Sequence, residues 1–209
     1  MIVLGLPVRR VIDDGGDGEG GGDVAPGVEV HLVEAGDPAR EHEVGRALVA
    51  AVLAARFGLA GARIAAPPEG GKPRLEGRPR GPFFNIAHSG GAVVVAVAAD
   101  RDVGVDIERI RPVSRDLEEA ALGARERETV AAAAAAGDDA AFFRLWTAKE
   151  AFMKLEGAGL AIPPRALRVD LGRRLVLDVR TGVRRPFASA RDGPLVIAWM
   201  AGPPASSAP

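Results

Sequence analysis

Residues 92–108, "AVVVAVAADRDVGVDIE", leave few folds open. The first eight are apolar, largely β-branched and too few for a buried helix, so they read as a strand covered on both faces. "DRD" reads as a turn, and "VGVDIE" alternates with the period of a half-buried strand returning beside the first. A hairpin of 92–99 with 103–108 is therefore predicted. Val103, Val105 and Ile107 share one face, and Gly104, Asp106 and Glu108 share the other. Carboxylates spaced i,i+2 on a strand have α-carbons about 6.6 Å apart, close enough to converge on one cation. Gly104 removes a side chain beside them, which is expected to leave room for a ligand. Taken alone, the hexapeptide is better read as an ordinary acidic strand facing solvent.

A helix is predicted on each side of this hairpin. Asp37-Pro38 supplies a capping carboxylate and a proline for the first turn, and Gly58 stops the run "AREHEVGRALVAAVLAARF". Asp138 or Asp139 opens a second long helix ending near Gly157. Residues 111–136 favour helix but are weakly patterned. "LRVDL", "RLVLDV" and "LVIAWM" read as strands of an antiparallel sheet, and residues 65–82 as an extended loop. "DDGGDGEGGGD" at 13–23 reads as a mobile acidic loop. Gly16, Gly18 and Gly21 match G-x-G-x-x-G, but the acidic side chains around them would repel a pyrophosphate. An Asp-capped helix stopped by glycine thus occurs twice, each time near short strands. The predicted class is α+β, with two pseudo-symmetric lobes, each a small, mainly antiparallel sheet packed against a long helix.

The second helix carries "LWTAKEAFMK" (145–154). Leu145, Ala148, Phe152 and Leu155 form its inward stripe. Trp146, Glu150 and Lys154 lie one turn apart on an adjoining face. A surface Glu–Lys pair at i,i+4, worth roughly 0.2–0.5 kcal/mol, would explain Glu150 and Lys154. Composition weighs against that. Of 27 basic residues only Lys72, Lys149 and Lys154 are lysine, and arginine would serve a surface pair as well. Lysine is a compact point charge suited to phosphate, so its retention at three places suggests phosphate contacts.

A net charge of −1 argues against general nucleic-acid or membrane-surface binding. Cysteine is absent, which removes disulfides and thiolate metal sites. "MIVLGLPVRR" is too short for a signal peptide, and its arginines follow the apolar stretch instead of preceding it. A cytoplasmic location is the expectation.

"FFNIAHSGG" (83–91) reads as a loop entering strand 92–99, at the end where Asp106 and Glu108 lie. His88 is then expected near those carboxylates, with Ser89 and two glycines allowing close approach of a ligand. A structural histidine bonded to a carbonyl is the competing reading. Three carboxylates without clustered His or Cys suit a hard cation such as Mg²⁺. With the lysines and His88 they make a plausible pyrophosphate site, and displacement at phosphorus is the reaction class. The residues alone name no substrate.

Three blocks in order, "GKP" before "FFNIAHS", then "GVDIE", then "WTAKEAFMKLEGAGL", resemble the 4'-phosphopantetheinyl transferases of the larger, surfactin-synthetase-type class. The blocks run from about 70 to 160. The smaller holo-acyl-carrier-protein synthases share an acidic motif and a K-E-A-x-x-K helix but are one lobe long. The resemblance implies transfer of phosphopantetheine from coenzyme A to a serine of an acyl or peptidyl carrier protein, with release of adenosine 3',5'-bisphosphate. It implies a monomer, a coenzyme-A-binding lobe at 1–102 and a lobe at 103–201 carrying the acids and the K-E-A-x-x-K helix, while "GPPASSAP" at 202–209 reads from its own composition as a frayed, disordered tail. Coenzyme A would lie between the lobes.

By the same resemblance Asp106, Glu108 and Glu150 match the Mg²⁺ ligands, and Glu150 also assists removal of the serine proton, directly or through water. Lys154 matches a phosphate contact near the leaving group, and Lys72 and His88 match groups holding the 3'-phosphate and pyrophosphate. Arg46 corresponds to a basic residue near the nucleotide. Ala87 stands where many members have Ser, so a hydroxyl contact is missing there, and a backbone N–H or Ser89 could replace it. Lys149 belongs to the motif with two roles open, orienting Glu150 or facing solvent. Two other functions remain: an Mg²⁺-dependent hydrolase of coenzyme A or a related pyrophosphate, and a non-catalytic coenzyme A or carrier-binding protein.

Overall fold

A computed structural model describes residues 1–11, 25, 27–65 and 71–205. The expected acidic loop at 13–23 lies outside the described residues. In chain order the strands are β1 (Ile2–Val3), β2 (Leu6–Pro7), β3 (Arg9–Val11), β4 (Glu29–Glu34), β5 (Ile64–Ala65), β6 (Arg74–Leu75), β7 (Phe83–Ser89), β8 (Ala92–Ala98) and β9 (Arg101–Arg109). They continue as β10 (Leu167–Asp170), β11 (Leu175–Asp178), β12 (Arg184–Pro186), β13 (Ala188–Asp192) and β14 (Leu195–Pro204). The helices are α1 (Glu41–Phe57), α2 (Arg115–Ala121), α3 (Ala124–Ala135) and α4 (Ala141–Glu156). None is long and apolar enough to cross a membrane.

The chain is α+β, with each long helix packed on a small antiparallel sheet, as the pattern predicts. One sheet has the order β3-β4-β8-β7, and another β13-β14-β9. Val44, Leu48 and Val52 of α1 pack on Val93, Val95 and Val97 of β8. The opposite face of β8 (Val94, Ala96) meets Val105 and Ile107 of β9 and Ile197 of β14 in a core between the sheets. On the far side, Ala148, Phe152 and Leu155 of α4 pack on Ala198 and Met200 of β14. A fully buried Leu or Phe contributes roughly 1.5–3 kcal/mol, while an exposed ion pair contributes about 0–1 kcal/mol. These apolar stripes, not surface charge, therefore seat both helices.

Both helices stop where glycine predicts, at Gly58 (φ 66°) and Gly157 (φ 68°), in the left-handed region that disfavours a Cβ. Asp37 caps the 3₁₀ turn Pro38–Arg40 that leads into α1, accepting a hydrogen bond from the Ala39 N–H at 2.9 Å.

Four expectations need correction. β8 and β9 follow one another across residues 99–100 but form no ladder, because both edges of β8 are taken by β4 and β7 while β9 pairs with β14. "FFNIAHS" is a strand, not a loop, and its alternating burial against β8 explains why. The three C-terminal strands are split between sheets. β10 pairs with β11, which pairs on its other edge with β12, whereas β14 lies between β9 and β13. Residues 202–204 belong to β14 instead of a frayed tail, and the Ala205 N–H donates to Asp100 O at 2.7 Å.

At the seam between the two larger sheets, β7 lies along β9. The Val105 N–H donates to Asn85 Oδ1 (3.0 Å) and the Arg109 N–H donates to Ser89 Oγ (3.2 Å). Side-chain oxygens there replace the carbonyls of a regular ladder, which satisfies buried N–H groups without extending either sheet.

Candidate active site

Register on β9 puts Val103, Val105 and Ile107 in the core between the sheets and turns Gly104, Asp106 and Glu108 toward α4, as the alternation predicts. The role expected of Gly104 is corrected. A Cβ there would lie 2.1 Å from the Ala151 carbonyl oxygen and 2.7 Å from the Leu155 nitrogen. The missing side chain admits the backbone of α4, not a ligand. This close approach brings Trp146, Glu150 and Lys154 onto the acids of β9.

The cluster centres on Lys154. Its ammonium donates to Asp106 Oδ1 at 2.5 Å and lies 3.4 Å from Glu150 Oε2. The Asp106 side chain is 4% exposed, and those of Glu150 and Lys154 are 25% and 29% exposed, so the pair opens to solvent on the Glu150 side. Burial pushes the Asp106 carboxyl up to about 7, opposed by the Lys154 ammonium and reinforced by the negative fields of Glu150 and Glu108. Burial works to lower the Lys154 pKa, but the combined fields of Asp106 and Glu150 outweigh it and hold the ammonium above its usual range.

Glu108 is held on several sides. Its Oε2 accepts from Ser89 Oγ (2.7 Å) and Arg111 Nη1 (2.8 Å), and its Oε1 accepts from Trp146 Nε1 (3.2 Å). Ser89 thus joins Glu108 to the backbone of β9. His88, on the other face of β7, points away from these acids. Its Nδ1 lies 2.6 Å from Glu41 Oε2 on α1, and its ring meets His42 edge-on at 4.9 Å. The expectation that His88 lies beside the carboxylates of β9 assumed a loop; strand alternation gives that position to Ser89. Glu41, whose other oxygen accepts from the Gly91 N–H, was not singled out from the sequence. Arg46 is exposed one turn beyond His42 on α1.

The other two lysines face inward. The Lys72 side chain is 6% exposed, and its ammonium donates to Asp102 Oδ1 and the Val103 carbonyl. Burial lowers its pKa against the pull of Asp102. Lys149 neither faces solvent nor touches Glu150. It is fully buried and donates to Glu126 Oε2 (2.6 Å) and the Ala121 carbonyl (2.9 Å). Burial lowers its pKa too, with Glu126 opposing. Glu126 also accepts from the Gly123 N–H (2.9 Å) and the Val169 N–H (3.1 Å), tying α3, α4 and β10 together. Nothing in the weakly patterned 111–136 segment marked Glu126; only the oddity of a lysine at 149 hinted that a buried acid faces it. Lys149→Met is expected to leave the Glu126 carboxylate with two backbone N–H donors but no cation, costing about 2 kcal/mol, the range of a lost charged hydrogen bond, and lowering Tm by roughly 4–8 °C. An unchanged melting curve would show that this pair does not hold α4 in place.

Asp106 Oδ2 is buried without a hydrogen-bond partner among the described residues. Burial of an unsatisfied carboxylate oxygen is costly, and a cation is the natural complement. The donors present, carboxylates alone, suit a hard divalent ion. The ready-made three-acid cage is not formed, however. Among the described residues no three acids or histidines are grouped to hold an ion, because Lys154 stands between Asp106 and Glu150 and Glu108 is bonded to Ser89, Arg111 and Trp146.

An α+β chain with a strand acid locked to the lysine of a glutamate- and lysine-bearing helix is the class that the fold and cluster define. Residues 102–198, which contain the acids of β9 and the helix α4, match the family model of the 4'-phosphopantetheinyl transferase superfamily. The chain is 37% identical over 124 residues to the 4'-phosphopantetheinyl transferase psf-1 of Bacillus pumilus, covering 59% of this chain and 52% of that protein. It is 34% identical over 144 residues to the 4'-phosphopantetheinyl transferase ffp of Bacillus subtilis, covering 68% and 62%. With the 4'-phosphopantetheinyl transferase Sfp of Bacillus subtilis (strain 168) it shares 34% identity over 103 residues, 49% and 45%. The chain thus spans about half to three fifths of the length of these relatives. The resemblance read from the three blocks holds over the part that carries the acids and α4.

Proposed function

We propose that this chain transfers the 4'-phosphopantetheine group of coenzyme A to a serine of an acyl or peptidyl carrier protein. The observation that carries the reading is the meeting of Asp106 and Glu150 across the Lys154 ammonium, with Asp106 Oδ2 left unsatisfied. The serine oxygen would form a bond to the pantetheine-side phosphorus as the bond from that phosphorus to the bridging oxygen breaks, releasing adenosine 3',5'-bisphosphate. Glu150, the most solvent-open acid bonded to Lys154, would take the serine proton, directly or through water. Lys154 would carry its charge to the leaving phosphate, and the negative fields of Asp106 and Glu150 keep it protonated for that task against the effect of burial. Asp106, Glu108 and Glu150 would hold Mg²⁺, which when bound draws charge from the phosphate oxygens.

His88, Ser89, Arg46 and Lys72 are the proposed contacts to coenzyme A. His88 and Arg46 support this by their exposure along α1 and the end of β7. For Lys72 the proposal carries a requirement, that its ammonium leave Asp102 and the Val103 carbonyl.

Intact-mass spectrometry of apo carrier proteins incubated with coenzyme A and Mg²⁺ should show the gain of one phosphopantetheine per modified serine. No gain across fatty-acid, polyketide and peptide carriers would reject the reading, and release of adenosine bisphosphate without any carrier would favour the hydrolase. Lys154→Arg should lower turnover by about tenfold or more with the fold intact, since a planar guanidinium cannot reproduce a point charge seated between two carboxylates. Turnover equal to wild type would reduce Lys154 to an ordinary ion pair.

A further inference from the structure

Lys149 and Glu150 are consecutive on α4 and so project about 100° apart. Glu150 faces the acid cluster, whereas Lys149 reaches toward a second concave surface. This groove, of about 480 Å³, runs between the start of α3 and β10, and Arg125, Arg165 and Arg168 line it with Ala124, Glu126 and Val169. All three arginines are exposed. None has a carboxylate partner among the described residues, whereas Arg9, Arg56, Arg111, Arg144 and Arg180 each do. Glu126, the acid in the groove wall, is already consumed by Lys149 and two backbone N–H groups. The groove therefore carries three uncompensated positive charges on a chain whose net charge is −1. General basicity does not account for them.

We propose that this groove docks an acidic segment of a protein partner, with its carboxylates on Arg125, Arg165 and Arg168 and its apolar side chains against Ala124 and Val169. Arginine's planar fork suits paired carboxylates in such a setting. The lining holds no aromatic side chain on which bases could stack, so a single-stranded nucleic acid would find charge but no platform. The inference stands independently of the transfer reading.

The test uses the full chain and a fluorescein-labelled dodecapeptide of glutamate and leucine, followed by fluorescence anisotropy at low salt. The charge reversal Arg125→Glu, Arg165→Glu, Arg168→Glu should raise Kd by about tenfold or more. A control reversal of equal net charge at exposed positions elsewhere, Arg10→Glu, Arg63→Glu, Arg184→Glu, should change Kd less than about threefold. Thermal melts accompany both, and Arg→Gln versions give the same contrast where a reversal lowers Tm. Three results would overturn the proposal: no binding by the wild type, equal weakening by both reversals, or displacement of the peptide by an equally charged single-stranded oligonucleotide at lower concentration.

Discussion

Asp106→Asn is expected to lower the proposed phosphopantetheine transfer by about a hundred- to a thousandfold, the range found when one charge-stabilising group is removed from a site, while Tm moves by only a few degrees. The two halves of this outcome have separate causes. A carboxylate with one oxygen buried and without a hydrogen-bond partner among the described residues, whose pKa burial pushes up to about 7, contributes little to stability in the resting chain. Asparagine keeps its shape, and the Lys154 ammonium keeps Glu150. The charge itself, however, is what sets Lys154 in place and what a divalent ion would require. Intact-mass assays at matched enzyme concentration, with circular-dichroism melts beside them, read both halves. Transfer within threefold of wild type by a folded variant would remove Asp106 from the reaction, and an unfolded variant would overturn the expected small change in Tm.

Gly104→Ala should be the most damaging single change to the fold. The added methyl would sit 2.1 Å from the Ala151 carbonyl oxygen and 2.7 Å from the Leu155 nitrogen, both backbone atoms of α4 that no rotamer change can move aside. Overpacking a tight core typically costs about 1–3 kcal/mol. Here relief requires lifting the helix whose Ala148, Phe152 and Leu155 fill the core beneath it, so about 3 kcal/mol or more is expected, with a fall in Tm of roughly 6–12 °C. Where the variant still folds, transfer should fall as well, because lifting α4 withdraws Glu150 and Lys154 from Asp106. A variant that melts like the wild type would show that α4 does not rest on Gly104.

The sequence made periodic features legible and hid pairings. Alternation on 103–108 located the core face of β9 and the acidic face opposite it, and the stripe Leu145, Ala148, Phe152, Leu155 located the buried side of α4. Both follow from a residue's nearest neighbours along one element. Which edge a strand pairs with depends on the rest of the sheet, so closeness in sequence points β9 to β8 whereas β14 is its partner. The same error moved His88: with β7 taken as a loop, nothing marked that Ser89 faces Glu108 while His88 faces Glu41. Lysine scarcity was informative in one sense and misleading in another. It marked three sites where the ammonium has specific partners, but at 72 and 149 those partners are protein carboxylates and carbonyls rather than open phosphate-binding space. Glu126 lay in a segment without pattern, and only its fold neighbours Lys149, Gly123 and Val169 reveal its work.

The inward orientation of the lysines has a practical consequence for covalent labelling. A succinimidyl ester offered to the folded chain meets no lysine amine on open surface. Lys154 is 29% exposed within its acids, Lys72 is 6% exposed, and Lys149 is inaccessible. Acylation at 72 or 149 would therefore report excursions in which the segment before β6 leaves β9, or α4 leaves α3. Each of these residues is a natural reporter, needing no engineered tag, on the breathing of a different joint.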